Sequence, residues 1–127
     1  MKKVTGIGGI FFKAKDADNM RKWYETHLGI KNEAYGTKFD WRDAEDADKK
    51  GYTLWAPFKA ETKYFEPSEK EFMINFRVEN MDELVKQLQA EGITLLGEVQ
   101  TYEYGKFAHI MDPEGNKIEL FEAFDEE

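Results

Sequence analysis

One pattern occurs twice in this sequence. From Gly6 to Lys15, Ile10, Phe12 and Ala14 alternate with Gly9, Phe11 and Lys13, which is the period of a strand. Asp16 or Asp18 can then cap a helix. Met20, Trp23, Tyr24 and Leu28 follow at helical spacing, and Gly29 stops it. From Phe72 to Glu79, Ile74, Phe76 and Val78 alternate with Met73, Asn75 and Arg77. Asn80 is a good N-cap and Glu83 stands at the capping-box position. Leu84, Val85 and Leu88 form an apolar face, and Gly92 ends the helix. Phe76 follows Phe12, and Asn80 follows Asp16, at an offset of 64 residues; Gly92-Ile93 follows Gly29-Ile30 at 63. An offset carried through strand, cap, helix and stop marks a duplicated unit. One copy of about 60 residues buries too little surface to be stable alone, so the two must pack together.

The remainder of each unit reads as strands. In the second, Ile93 to Leu96 begins a strand after the helix, and a longer one runs from about Thr101 to Met111. Asp112-Pro113-Glu114-Gly115-Asn116 is a tight turn, because proline presets φ and glycine supplies positive φ. Lys117 to Phe121 returns. In the first unit Glu33 to Trp41 and Gly51 to Trp55 take these roles, joined by the charged loop 43–50. The expected fold is α+β: two β-α-β-β-β repeats with helices on one face and a concave mixed sheet on the other. It forms a single domain over 1–127, with repeat 1 at about 4–58, repeat 2 at about 71–124 and a linker at about 59–70.

Composition narrows the function classes. The formal net charge is −8, which would repel nucleic acid and attract a cationic ligand, or simply aid solubility. No apolar run approaches the ~18 residues of a membrane span. The start, Met1 to Gly9, is too glycine-rich for a signal peptide. There are no cysteines, which removes disulfides, thiolate chemistry and cysteine-held metal and fits a cytoplasmic protein. Aromatic residues make up 15%, enough to line a pocket with rings or to build a bulky core. Gly6-Ile7-Gly8-Gly9 precedes a strand, not a helix, so it is no dinucleotide fingerprint.

The doubled β-α-β-β-β with Asp112-Pro113-Glu114-Gly115-Asn116-Lys117-Ile118-Glu119-Leu120 near its end resembles the vicinal oxygen chelate superfamily. That superfamily includes glyoxalase I, extradiol dioxygenases, fosfomycin-resistance enzymes and bleomycin-resistance proteins. The run from Trp23-Tyr24 to Leu28-Gly29 looks like its first helix. Tyr64-Phe65-Glu66-Pro67-Ser68, followed by Phe72 to Val78, looks like a glyoxalase-like subgroup. The resemblance implies a homodimer. It also implies, in the metal-dependent members, up to four ligands from the first and last strands of the repeats. Carried over one position at a time, these read Gly9, Thr53, Met73 and Glu119. Only Glu119 matches a ligand for a hard or borderline divalent ion, so no metal or other cofactor is expected.

Other residues bear chemistry. His27, in the last turn of its helix, interacts with the helix dipole. Around the turn, His109 falls opposite Glu119. Cross-strand neighbours lie ~5 Å apart, so the two form either a general acid/base pair or a satisfied polar pair that orders the hairpin. Asn75 and Arg77 face the cup if Ile74, Phe76 and Val78 face the helix. Arg77 then grips an anionic oxygen, or else pairs with Glu119 or reaches solvent at the rim. By the same alternation Phe11, Trp55 and Phe121 line the cup as ligand-binding rings or fill it as core. Tyr52, Tyr64, Tyr102 and Tyr104 are candidates for its mouth.

The first expectation is a protein of the bleomycin-resistance kind. It would bind a small, partly aromatic or cationic molecule between the repeats without metal. The alternative is a glyoxalase-like enzyme of lyase, isomerase or dioxygenase type, using Glu119 with His109 or Arg77. A dimerising module without ligand is the third.

Overall fold

The repeat predicts that equivalent strands pair equivalently, and they do. The computed structural model describes residues 3–31, 33 and 35–124. Its elements are β1 (Val4–Ala14), α1 (Ala17–Leu28), β2 (Thr37–Arg42), β3 (Lys50–Lys59), β4 (Phe72–Val78), α2 (Met81–Ala90), β5 (Gln100–Tyr102), β6 (Gly105–Met111) and β7 (Lys117–Ala123). They form one seven-stranded mixed sheet in the order β2-β3-β1-β4-β7-β6-β5. The first strand of each repeat runs parallel to its last, β1 with β3 and β4 with β7. A parallel pair needs a crossover, which α1 and α2 supply. The repeats meet where β1 and β4 pair antiparallel.

The helix ends follow the sequence. The Asp16 carboxylate accepts from the Asn19 N–H at 3.0 Å, and the Asn80 side chain from the Glu83 N–H at 3.1 Å. Gly29 and Gly92 take φ of 72° and 85°, the left-handed stop that a Cβ would strain.

Strand boundaries differ from the sequence reading in three places. Residues 93–96 do not pair as a strand. Their backbone turns back instead, with Ile93 N–H bonded to Leu88 O and Leu96 N–H to His109 O, so Leu95 packs against the core. The expected strand 101–111 is broken at Glu103-Tyr104 into the hairpin β5–β6. In the first repeat, pairing begins at Thr37, after an isolated bridge between Glu33 and Gly36, and β3 runs on to Lys59.

The two faces of the sheet carry different cores. On the helix side Val78, Met81, Leu84, Val85, Ala108 and Leu120 are buried together beneath α2. On the concave side Phe11, Ala56, Met73 and the linker residue Phe65 form a second cluster. Phe65 and Met73 are fully buried, so the linker is a packed part of the concave face. Ser68 Oγ, donating to Gly115 O at 2.7 Å, pins it to the β6–β7 turn.

Candidate functional site

The hairpin register delivers the pair that spacing suggests. His109 lies opposite Glu119, with Ile110 opposite Ile118 and Met111 opposite Lys117. His109 Nε2 meets Glu119 Oε2 at 2.8 Å. On the other side β4 places Asn75 beside Glu119, and Asn75 Nδ2 donates to Oε1 at 2.7 Å. A fourth group was only a mouth candidate in the sequence: the Tyr64 hydroxyl donates to Glu119 Oε2. Glu119 is 2% exposed, Asn75 3% and His109 8%. A carboxylate so deeply buried is sustained by donors on both its oxygens. Burial, and next the charge of Glu119, hold the Tyr64 phenol well above its ordinary value, so it stays a donor. Lys117 Nζ, donating to Tyr64 O at 2.6 Å and Glu66 O at 3.0 Å, fixes the linker that carries it. Desolvation lowers the pKa of Lys117 despite the opposing pull of Glu119 and Glu66.

Two polar atoms of this cluster have no partner among the described residues. Asn75 Oδ1 is buried without a hydrogen-bond partner. Nε2 of His109 is spent on Glu119, and Nδ1 has no partner among the described residues. A neutral imidazole donating through Nε2 to a carboxylate leaves Nδ1 as an acceptor, the form of a base.

Rings surround the cluster. Phe107 and Phe121 stack at 4.7 Å. Tyr102 and Tyr104 stack at 5.5 Å, and both meet Phe107. The Tyr64 ring lies edge-on to His109 at 5.6 Å. Phe11 and Phe121 thus stand on the concave side as expected. Trp55 does not: its ring packs on Tyr24 of α1 at 4.7 Å and on Phe12 at 5.5 Å, so it faces the helix side. The reason is register. Phe11 is paired with Ala56, so the even-numbered residues of β3 share its face, and Trp55 goes to the other. Tyr52 belongs to that even set. It approaches Arg77 at 4.6 Å, and Trp41, which pairs with Gly51 of the odd set, comes within 5.6 Å of the same guanidinium; sequence patterning missed Trp41.

The sheet hollow is filled at its centre by Phe65 and Tyr64. Two open depressions lie on the surface. One of about 400 Å³ is lined by Phe58, Lys59, Glu61 and Thr62. One of about 440 Å³ is lined by Asp40, Trp41, Arg42, Lys50 and Gly51.

The four positions that the resemblance gave to metal ligands do not fit a divalent ion. Gly9 has no donor, and a Cβ there would press on the Phe11 ring. Met73 is sealed in the concave core with Phe65. The Thr53 hydroxyl is committed to Ile7 O at 2.5 Å and to the Trp41 indole N–H at 2.9 Å. Both oxygens of Glu119 are occupied. Among the described residues no group of three or more His, Asp or Glu side chains converges as a metal site.

A family model described as a glyoxalase-like domain matches residues 9–121. Solved structures share the fold at low identity. A Streptomyces coelicolor methylmalonyl-CoA epimerase in complex with 2-nitronate-propionyl-CoA aligns with a TM-score of 0.67 and 17% identity, over 96% of this chain and 99% of that one. The methylmalonyl-CoA epimerase of Mycobacterium tuberculosis aligns at 0.59 and 19%, over 98% and 92%. A glyoxalase/bleomycin resistance protein/dioxygenase superfamily member from Vibrio splendidus 12B01 aligns at 0.57 and 12%, over 91% and 97%. No curated protein sequence gives a significant match.

Proposed function

Because this chain belongs to the glyoxalase-like domain family, we propose that it binds a small, partly aromatic molecule on its concave face without a metal ion. The observation that carries this reading is the buried Glu119 cluster. It leaves Asn75 Oδ1 and His109 Nδ1 without a partner among the described residues, the former packed against Gly8, beside a wall of Phe107, Phe121, Tyr102 and Tyr104. Rings around a few convergent polar atoms are the ordinary makeup of a small-molecule site. The acidic balance of the chain favours a cationic ligand only at long range, because the carboxylate nearest the site is already satisfied by three donors.

The His109–Glu119 contact also favours a second reading, an enzyme. Glu119 would hold the imidazole by Nε2 while Nδ1 takes a proton from the carbon beside a carbonyl. Glu119→Gln separates the two. A binder of an uncharged aromatic keeps its affinity within a few-fold, whereas an acid–base enzyme loses turnover by roughly 10²-fold or more at similar KM.

We further propose a homodimer. Val4, Ile7, Ile10 and Phe72 are 42%, 45%, 39% and 40% exposed on the helix side of β1 and β4, in a strip that neither helix covers. The strip follows the junction of the two repeats. A second copy turned about a two-fold axis would present the same residues to it, which makes the strip self-complementary.

A further inference from the structure

Arg77 stands two residues from Asn75 on the same face of β4, about 7 Å along the strand. Its guanidinium carbon lies 4.6 Å from the Tyr52 ring, 5.3 Å from Phe121 and 5.6 Å from Trp41. Two of those rings come from the first repeat and one from the second, so the cage exists only where the repeats meet. Among the described residues no carboxylate or hydrogen-bond acceptor meets this guanidinium, and its Nε is buried without a partner. Glu119, one of the partners the sequence left open for it, is engaged instead by Tyr64, His109 and Asn75.

The glycines of β1 make this room. Side chains at Gly6, Gly8 and Gly9 would run into the Trp41 ring, into Asn75 and Arg77, and into the Phe11 ring respectively. The Gly6-Ile7-Gly8-Gly9 run, which lies within β1, is thereby explained: it lets the Arg77 cage and the Asn75 amide approach the sheet.

We propose that Arg77, caged by Tyr52, Trp41 and Phe121, is the anchor for the carboxylate of a flat aromatic acid. The inference rests on the concave-face binding reading and names its ligand class. Three rings crowd the guanidinium and its Nε is buried, so the groups left to recognise a ligand are its terminal N–H donors. Those donors match a carboxylate two bonds at a time. A cation there would meet like charge, and a neutral amide would leave the guanidinium unneutralised.

The test is titration calorimetry on the full chain with benzoate, benzamide and benzylamine, using the wild type, Arg77→Gln and Arg77→Lys, with circular dichroism to confirm folding. Benzoate is expected to bind at least about tenfold more tightly than benzamide or benzylamine. Arg77→Gln should remove that preference, bringing benzoate affinity down about tenfold to that of benzamide or below. Arg77→Lys, which keeps the charge but not the fork, should recover only part of it. Benzoate binding unchanged in folded Arg77→Gln, or benzamide binding as well as benzoate, would overturn the carboxylate assignment and leave the aromatic site standing. No binding of any of the three probes would overturn the concave-face reading and this proposal with it.

Discussion

Glu119 shows how one side chain can organise a face. Its carboxylate is buried, yet it receives the Tyr64 phenol, the Asn75 amide and the His109 imidazole. Glu119→Gln is isosteric but turns an N–H donor toward one of these donors. The expected loss is about 2–4 kcal/mol in urea unfolding, mostly from leaving buried donors unpaired. Tyr64→Phe removes a single donor from a partly exposed ring and should cost about 1 kcal/mol. Its pH dependence is more telling. A phenol whose folded-state pKa is raised gives stability that is complete below its ordinary value of about 10 and is lost as pH climbs above it. Wild-type stability should therefore fall from about pH 10 upward, and Tyr64→Phe should flatten that alkaline limb. The closed donor set also bears on metal. Ni, Zn, Mn or Fe(II) should shift the melting temperature little, and elemental mass spectrometry should find no stoichiometric ion; a stoichiometric ion would sink the assignment. The His109–Glu119 partnership was legible in the sequence because a hairpin fixes its own register. The role of Tyr64 was not, because it arrives from a linker whose path no local pattern encodes.

The linker 59–70 and the β6–β7 hairpin act as elements in their own right. Phe65 is fully buried among Phe11, Ala56 and Met73. Phe65→Ala should cost about 3–5 kcal/mol and also loosen Tyr64, its neighbour in the chain. Thermal unfolding and the near-ultraviolet tyrosine signal would read both. In the hairpin, Asp112 accepts from the N–H groups of Glu114 and Asn116 and from the Asn116 amide. These bonds, that of the Asn116 side chain foremost, hold its carboxyl below the usual range. The stabilisation is present above the ordinary carboxylate range and is lost as pH falls below it. Amide hydrogen exchange across β6 and β7 should then quicken in Asp112→Ala at neutral pH. Proline, glycine and the flanking acids made this turn readable at sight. Segment 93–96 was misread as a strand for want of such punctuation: Leu95 is apolar because it packs against the helix-side core, and the segment joins no strand among the described residues.

At the scale of the molecule, the strip of Val4, Ile7, Ile10 and Phe72 gives the dimer proposal its test. Sedimentation equilibrium should find a dimer, and Ile10→Lys should yield a folded monomer, since a charge there meets its own copy. A monomeric wild type would reject the dimer. The sequence by itself determined the duplication, the caps and stops of both helices, the α+β class and the His109–Glu119 register. Each of these is written in spacing within one segment or across one tight turn. The tertiary structure alone decided which face Trp55 takes, that Tyr64 closes on Glu119, that Arg77 pairs with no acid among the described residues, and that Trp41 and Tyr52 reach across from the other repeat. The physical reason is that side-chain parity is certain only along one strand. Its sense relative to another strand depends on a pairing register set by chain that is distant in sequence, and one residue of slip exchanges the two faces.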